Sequence, residues 1–139
     1  MAFATATAPP LTRRRLKLMI CDDSNIIRRR IERELRVERL QVTATAANGR
    51  QAVEAFRRDP ADVVTMDITM PEMDGIECVE KLVKIKPDVL ILVISALSDK
   101  ATAIEALKKG ANGFLCKPFT DRQLTEALEE LLRGAGNDD

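Results

Sequence analysis

The chain has 139 residues, which suffices for one compact domain with a hydrophobic core and falls short of two ordinary domains. Its 22 Lys and Arg residues balance 22 Asp and Glu residues, so no bulk charge favours nucleic-acid binding. The sequence contains no His, which excludes imidazole zinc sites and His-based catalytic triads. No stretch is long and apolar enough to suggest a membrane span.

The ends of the chain differ in composition from its middle. Residues 1–15 are small, polar and then basic, and the apolar run that follows is too short for a secretory signal. We therefore expect a flexible extension over 1–15, a domain over 16–133 and a polar tail over 134–139. The three cysteines lie in apolar runs, which is typical of buried thiols in a reducing compartment and favours a cytoplasmic location: Cys21, Cys78 and Cys116.

Five short apolar runs, each followed by polar or turn-forming residues, predict five strands that alternate with helices. Such alternation favours an α/β fold with a doubly wound parallel sheet, because each parallel connection needs a crossover and crossovers are right-handed. The strands are predicted at 16–21, 41–46, 63–67, 89–94 and 113–116.

Apolar residues at helical spacing predict a helix after each strand. In the fourth helix, Ile104, Leu107 and Ala111 are expected to form the inward-facing stripe. The last helix is predicted to begin at a capping box, in which Thr120 and Gln123 satisfy each other's backbone amides.

Reactive side chains follow four of the predicted strands. Asp22 and Asp23 end the first strand, Asp67 the third, Ser95 the fourth and Lys117 the fifth. Ligands of open parallel sheets bind at the carboxyl ends of the strands, so these groups are expected to converge. Three carboxylates repel one another unless a cation lies between them, and oxygen ligands suit Mg²⁺.

This set favours phosphoryl chemistry. A carboxylate can attack phosphorus and form an aspartyl phosphate, while an ammonium and a hydroxyl group bind phosphoryl oxygens. Each residue also has a structural explanation: Asp22 and Asp23 can cap a helix, Asp67 can occupy a turn, and Ser95 can bond the backbone. Taken together, on four strands of one sheet, they favour the functional interpretation.

The motifs resemble those of the receiver domain of two-component signalling. The order is Asp-Asp, then Asp-x-x-Met-Pro-x-Met-Asp-Gly, then Ser-Ala, then Lys-Pro-Phe, and the resemblance covers roughly residues 17–133. The segment from Thr65 to Glu77 is most similar to stand-alone chemotaxis regulators of the CheY type. The resemblance implies a flavodoxin-like (βα)5 fold with strand order 2-1-3-4-5.

The resemblance also implies residue roles. Asp67 accepts phosphate from a histidine kinase or a histidine phosphotransfer protein, and Ser95 and Lys117 hold the phosphoryl oxygens. Phe114 occupies the switch-aromatic position, with a core-filling role as the alternative, and the Lys117–Pro118 bond is cis in relatives. Mg²⁺ is held by four groups: the carboxylates of Asp22 (through water), Asp23 and Asp67, and the backbone carbonyl of Thr69.

Two further expectations concern the lifetime and the readout of the phosphorylated state. Receivers position the hydrolytic water partly through the side chains at Thr69 and Leu97, and Leu97 cannot hydrogen-bond water, so we expect slow self-dephosphorylation and a separate phosphatase. The downstream effector, a flagellar motor switch if the role is chemotactic, is expected on the fourth helix, fifth strand and last helix. The fourth helix carries a second face of small residues there: Ala103, Ala106 and Gly110.

We expect a signalling domain that is not an enzyme, and the sequence leaves two alternatives. A haloacid-dehalogenase-type phosphohydrolase also uses a strand-end Asp and Mg²⁺, but it needs a second Asp where this chain has Thr69, and it has a cap domain. The chain could also be the receiver piece of a longer DNA-binding regulator. Because the residues after Arg133 are too few to house a helix-turn-helix, this alternative requires that the sequence is part of a longer chain.

Overall fold

The computed structural model describes residues 15–69 and 74–136. Five parallel strands form one sheet in the order β2-β1-β3-β4-β5, which confirms the predicted flavodoxin-like topology. β2 starts one residue before its predicted position, and β4 runs two residues past Ile94, so Ser95 lies within the strand. The strands are β1 (Leu16–Cys21), β2 (Leu40–Ala46), β3 (Val63–Asp67), β4 (Leu90–Ala96) and β5 (Gly113–Lys117).

Local capping signals mark the starts of the first, second and last helices. Ser24 caps the first helix by accepting from the amide of Ile27, and Asn48 caps the second in the same way. The capping box is confirmed, because the amides of Thr120 and Gln123 each bond the other's side chain, at 2.9 and 3.0 Å. The helices are α1 (Asn25–Glu34), α2 (Gly49–Arg58), α3 (Gly75–Ile85), α4 (Lys100–Lys108) and α5 (Asp121–Gly136).

The sheet separates two hydrophobic clusters. One cluster packs α2, α3 and α4 against one face of the sheet, and the other packs α1 and α5 against the opposite face. Successive side chains of a strand point to opposite faces, so Met19 contributes to the first cluster and Leu18 to the second. The central strands are therefore covered on both faces, as their continuous apolar runs predict.

The predicted inward stripe of α4 is wrong at Ile104, whereas Leu107 packs against the first cluster and Ala111, just past the helix, is buried in it. Ala103 and Ala106 are fully buried, whereas Ile104 is 43% exposed and Leu107 is half-buried. The large side chains of β3 and β4 already fill the first cluster, so the helix lies close to the sheet through its small residues. At the end of α4, Gly110 has a φ of +124°, and a Cβ there would lie 2.8 Å from Cγ2 of Val83.

Cys21 and Cys78 are free, buried thiols as expected, whereas Cys116 is half-buried. Burial raises the pKa of both buried thiols, that of Cys78 to about 12. No helix in the described ranges is long and apolar enough to cross a membrane.

Three sequence predictions concern regions near or beyond the described boundaries. α5 runs to Gly136, three residues past the expected end of the domain at Arg133. The expected extension over 1–15 lies outside the described residues except for Arg15, and the Met-Pro-x-Met part of the motif after the third strand, residues 70–73, lies outside them as well.

Candidate functional site

Three carboxylates meet at the carboxyl ends of β1 and β3. Asp22, Asp23 and Asp67 each place one oxygen within 4.8 Å of the other two. Asp22 and Asp67 are only 1% and 2% exposed, whereas Asp23 is exposed to solvent. Buried like charges at this distance repel strongly unless cationic groups lie among them, so the cluster requires a compensating charge.

The turn after β1 orients Asp22. The amide of Asp22 donates to the carbonyl of Ala46 on β2, and Oδ1 of Asp22 accepts from the amide of Ser24 at 2.8 Å. The guanidinium of Arg28 donates to the Asp22 carbonyl, so α1 also fixes this residue from the other side. Oδ2 of Asp22 is buried and has no hydrogen bond within residues 15–69 and 74–136.

Asp67 is held at both of its carboxylate oxygens. Oδ1 accepts from the amide of Thr69 at 3.0 Å, and Oδ2 accepts from Nζ of Lys117 at 3.3 Å. Burial is the largest influence on this group and raises its pKa, helped by the nearby charge of Asp22 and opposed by the Thr69 amide and Lys117. The side chain of Thr69 is exposed beside the cluster.

Lys117 joins the two buried carboxylates. Its Nζ lies 3.3 Å from Oδ2 of Asp67 and 3.6 Å from Oδ2 of Asp22. Burial alone lowers the pKa of Lys117, but the charges of Asp67 and Asp22 outweigh it and raise the pKa. The lysine is therefore a fixed positive charge, and the Lys117–Pro118 bond that follows it is cis, as the family resemblance implies.

Ser95 lies at the same edge of the sheet, but it takes no part in the contacts between Lys117 and the two buried carboxylates. On β4 it follows Ile94, the residue paired with Asp67, and it is paired with Cys116. Its side chain is fully buried, and its hydroxyl has no hydrogen-bond partner among the described residues. A buried donor without a partner is costly, so this hydroxyl would gain a hydrogen bond if Ser95 moved toward a ligand at the strand ends. Phe114, the predicted switch residue, is half-buried on β5 and packs against the cluster that contains α4.

Sequence reasoning missed the residues that support this site from neighbouring elements. Arg28 and Arg30 both lie on α1, and no sequence pattern distinguishes an arginine that contacts a loop from one in solvent. Gly75 begins α3 beside Ile68, and a Cβ on Gly75 would lie 2.9 Å from the Ile68 carbonyl oxygen. The backbone immediately after Asp67 therefore packs closely against α3, and Asp74 caps that helix by accepting from the Ile76 amide at 2.8 Å.

The cluster fits a hard divalent cation. Its donors are all oxygens, and the buried Oδ2 of Asp22 has no hydrogen bond among the residues described. Mg²⁺ prefers such a set, in which a few carboxylates leave room for water and phosphate oxygens. The residues present therefore fit Mg²⁺ better than Zn²⁺ or Cu²⁺, which favour nitrogen and sulfur ligands.

Comparisons with known proteins agree with this geometry. Residues 18–129 match the family described as the response regulator receiver domain. The chain is 40% identical to the chemotaxis protein CheY of Thermotoga maritima over 115 residues, which cover 83% of this chain and 96% of that protein.

Two other relatives show the range of proteins that contain this fold. A protein-glutamate methylesterase/protein-glutamine glutaminase of Vibrio vulnificus strain YJ016 is 42% identical over 84% of this chain, but the match covers only 32% of that protein. A crystal structure of the CheX-CheY-BeF3-Mg complex from Borrelia burgdorferi matches with a TM-score of 0.76 and 30% identity, covering 83% of this chain and 87% of the matched chain.

Proposed function

The chain belongs to the response regulator receiver domain family, and we propose that Asp67 is its phosphoacceptor toward a histidine kinase or histidine phosphotransfer protein. The observation that carries this proposal is the contact of Lys117 with both Asp67 and Asp22, at 3.3 and 3.6 Å, inside a cluster of three carboxylates. A carboxylate that is buried, held by a backbone amide and paired with an ammonium group is oriented for attack on phosphorus.

In the proposed transfer, an oxygen of Asp67 forms a bond to phosphorus as the N–P bond of a phosphohistidine breaks. The electron pair of that bond leaves with the imidazole nitrogen, which takes up a proton. Lys117 and the hydroxyl of Ser95 bind the phosphoryl oxygens and offset their charge. Mg²⁺, when held by Asp22, Asp23, Asp67 and the Thr69 carbonyl, supplies further neutralisation of charge.

The phosphorylated site is proposed to act through Ser95 and Phe114. Phosphorylation adds up to about two negative charges, and such a change shifts the balance between two conformations of the fold. We propose that Ser95 moves toward the phosphoryl group and that the ring of Phe114 follows. The downstream effector then binds the surface of α4, β5 and α5. The small-residue face expected to form part of this surface is wrong, because Ala103 and Ala106 are buried against the sheet, and Ile104 is an exposed apolar residue of α4 instead.

Chemotaxis is the pathway that the similarity to CheY favours, with the flagellar motor switch as effector and the cytoplasm as location. The V. vulnificus methylesterase supports a second candidate role, in which a receiver of this type controls an enzymatic output on the same chain. In either role the domain itself is a signalling module. A dehalogenase-type hydrolase needs an Asp as general acid two residues after its nucleophile, and this chain has Thr69 at that position.

The test is intact mass after treatment with acetyl phosphate and Mg²⁺. We expect one phosphoryl adduct per chain that is absent in Asp67→Asn and present in the matched control Asp59→Asn, whose carboxylate pairs with Lys17 away from the site. Continuous release of phosphate from many equivalents of donor would instead favour a phosphohydrolase. An adduct that survives in Asp67→Asn would contradict the assignment of the phosphoacceptor.

A further inference from the structure

Arg30 on α1 reaches across to the loop between β5 and α5. Its Nη2 donates to the carbonyl of Phe119 at 2.6 Å, and its Nε donates to Oδ1 of Asp121 at 3.2 Å. The guanidinium also lies 4.8 Å from the centre of the Phe119 ring. One side chain thus contacts the loop through a backbone carbonyl, a carboxylate and an aromatic ring, a combination that the planar guanidinium allows.

The contacted loop leads directly to Lys117. Phe119 is the second residue after Lys117, and its ring is only 5% exposed in the cluster that packs α1 and α5 on the sheet. Thr120 begins the capping box of α5, so the loop has anchors on its far side as well. Lysine is long and flexible, and the position of its ammonium group depends on how firmly the backbone before this loop is held.

We infer that Arg30 is a positioning residue, which fixes the β5–α5 loop so that Lys117 stands between Asp67 and Asp22. The chemistry of this inference rests on the proposed function, in which Lys117 binds the phosphoryl group. Arg30 lies on the same helix as Arg28, whose guanidinium holds the carbonyl of Asp22. α1 therefore supports both sides of the contact between the lysine and the carboxylates.

The alternative is that Arg30 only ties α1 to α5. Its pair with Asp121 is partly exposed, with side-chain exposures of 31% and 48%, and such pairs contribute little to stability by themselves. A positioning role predicts an effect on the binding of a phosphoryl mimic at temperatures where every variant is folded, whereas a purely structural role predicts an effect on unfolding alone.

The experiment compares Arg30→Met, Arg30→Lys and the control Arg33→Met. Arg33 lies on the same helix, is 72% exposed and pairs with Glu34 at 3.0 Å. Affinities for Mg²⁺ alone and for beryllofluoride with Mg²⁺ are measured by ¹⁹F and ¹H NMR. Amide hydrogen exchange of Lys117, Phe119 and Thr120 is followed in the protein without added ions, because this readout does not depend on phosphoryl binding.

For Arg30→Met we expect beryllofluoride affinity to fall about tenfold, the loss typical of an outer hydrogen bond that orients a ligand. Mg²⁺ affinity should not fall, because Lys117 is not a metal ligand and a less firmly held ammonium group competes less for the carboxylates of Asp67 and Asp22. The loop amides should exchange faster, Arg30→Lys should restore part of both effects since it lacks the planar fork, and Arg33→Met should match the wild type.

Unchanged beryllofluoride affinity and unchanged loop exchange in Arg30→Met would overturn the inference, even if that variant unfolds at a lower temperature. If wild-type protein does not bind beryllofluoride, the proposed function fails instead. Loop exchange then decides on Arg30 separately: faster exchange supports its hold on the loop, and unchanged exchange refutes it.

Discussion

Leu97 is an exposed apolar side chain that directly follows β4 at the edge of the sheet that carries the site. It follows Ala96, which is paired with Lys117 across β4 and β5, and its side chain is 69% exposed. Hydrolysis of an aspartyl phosphate needs a water molecule that is oriented toward phosphorus, and leucine offers no hydrogen bond for this purpose. We therefore expect the phosphorylated state to persist, which would give a separate phosphatase a role in ending the signal.

The Leu97→Glu variant tests this expectation. A carboxylate at this position can accept a hydrogen bond from the attacking water, so the half-life of the phosphorylated protein should shorten by about two- to tenfold, less than a fully positioned base achieves. The decay of the phosphoryl adduct is measured by intact mass after removal of the phosphodonor. Ile104→Glu is the matched control, because it places the same charge on an exposed apolar position of α4. An unchanged half-life in Leu97→Glu contradicts the prediction.

At the scale of elements, the residues that α4 buries differ from those that its apolar periodicity predicts. Its buried positions are Ala103 and Ala106, and its exposed apolar position is Ile104. A large residue at a buried alanine has no space in this cluster, whereas a small polar residue at an exposed position changes little.

Two substitutions on α4 should therefore change the free energy of unfolding in the opposite order from the one that the sequence predicts, in which Ile104 faces the core. Ala106→Leu should lower the free energy of unfolding by about 1–3 kcal/mol through overpacking. Ile104→Ser should change it by less than about 0.5–1 kcal/mol, since the side chain is already 43% exposed. Urea unfolding followed by circular dichroism measures both. A larger loss for Ile104→Ser than for Ala106→Leu would show that the helix packs by its other face.

Local signals made most elements predictable from the sequence. The capping box at Thr120 and Gln123 depends on residues three positions apart, and the strands depend on continuous apolar runs, so both are visible without tertiary information. The orientation of α4 depends on the volume of side chains on β3 and β4, which are distant in sequence. Periodicity indicates that a helix forms, but not which of two apolar stripes faces the sheet.

In the site, too, some features follow from topology and others depend on packing between distant segments. The convergence of Asp22, Asp67 and Lys117 follows from topology, because residues at the carboxyl ends of adjacent parallel strands must meet. The supporting contacts of Arg28 and Arg30 follow from the angle at which α1 crosses the sheet, which no local pattern specifies. The sequence therefore predicted the groups that carry charge and missed the groups that hold them.

At the scale of the molecule, the site places two buried carboxylates close together at the carboxyl end of the sheet, next to both hydrophobic clusters. Asp22 and Asp67 belong to adjacent strands β1 and β3, so their repulsion acts on the centre of the sheet. Lys117, from the edge strand β5, offsets this repulsion by its contacts with both carboxylates. The stability of the whole fold is thus linked to the cationic groups at this edge, and a bound cation should substitute in part for the lysine.

Lys117→Met makes this linkage measurable. In EDTA we expect the variant to lose about 1–2 kcal/mol of unfolding free energy, less than the loss for a fully buried pair because the lysine side chain is 31% exposed. Mg²⁺ at about ten times its dissociation constant from the variant should return about 1.4 kcal/mol, and the same Mg²⁺ concentration should stabilise wild type less because the ammonium group there competes with the metal. Urea unfolding with and without Mg²⁺ measures both quantities, and Lys81→Met, which removes an exposed pair with Glu77, is the control.

Equal stability of Lys117→Met and wild type in EDTA would show that the carboxylates do not depend on the lysine. Equal responses to Mg²⁺ would show that the metal and the lysine do not interact with the same carboxylates.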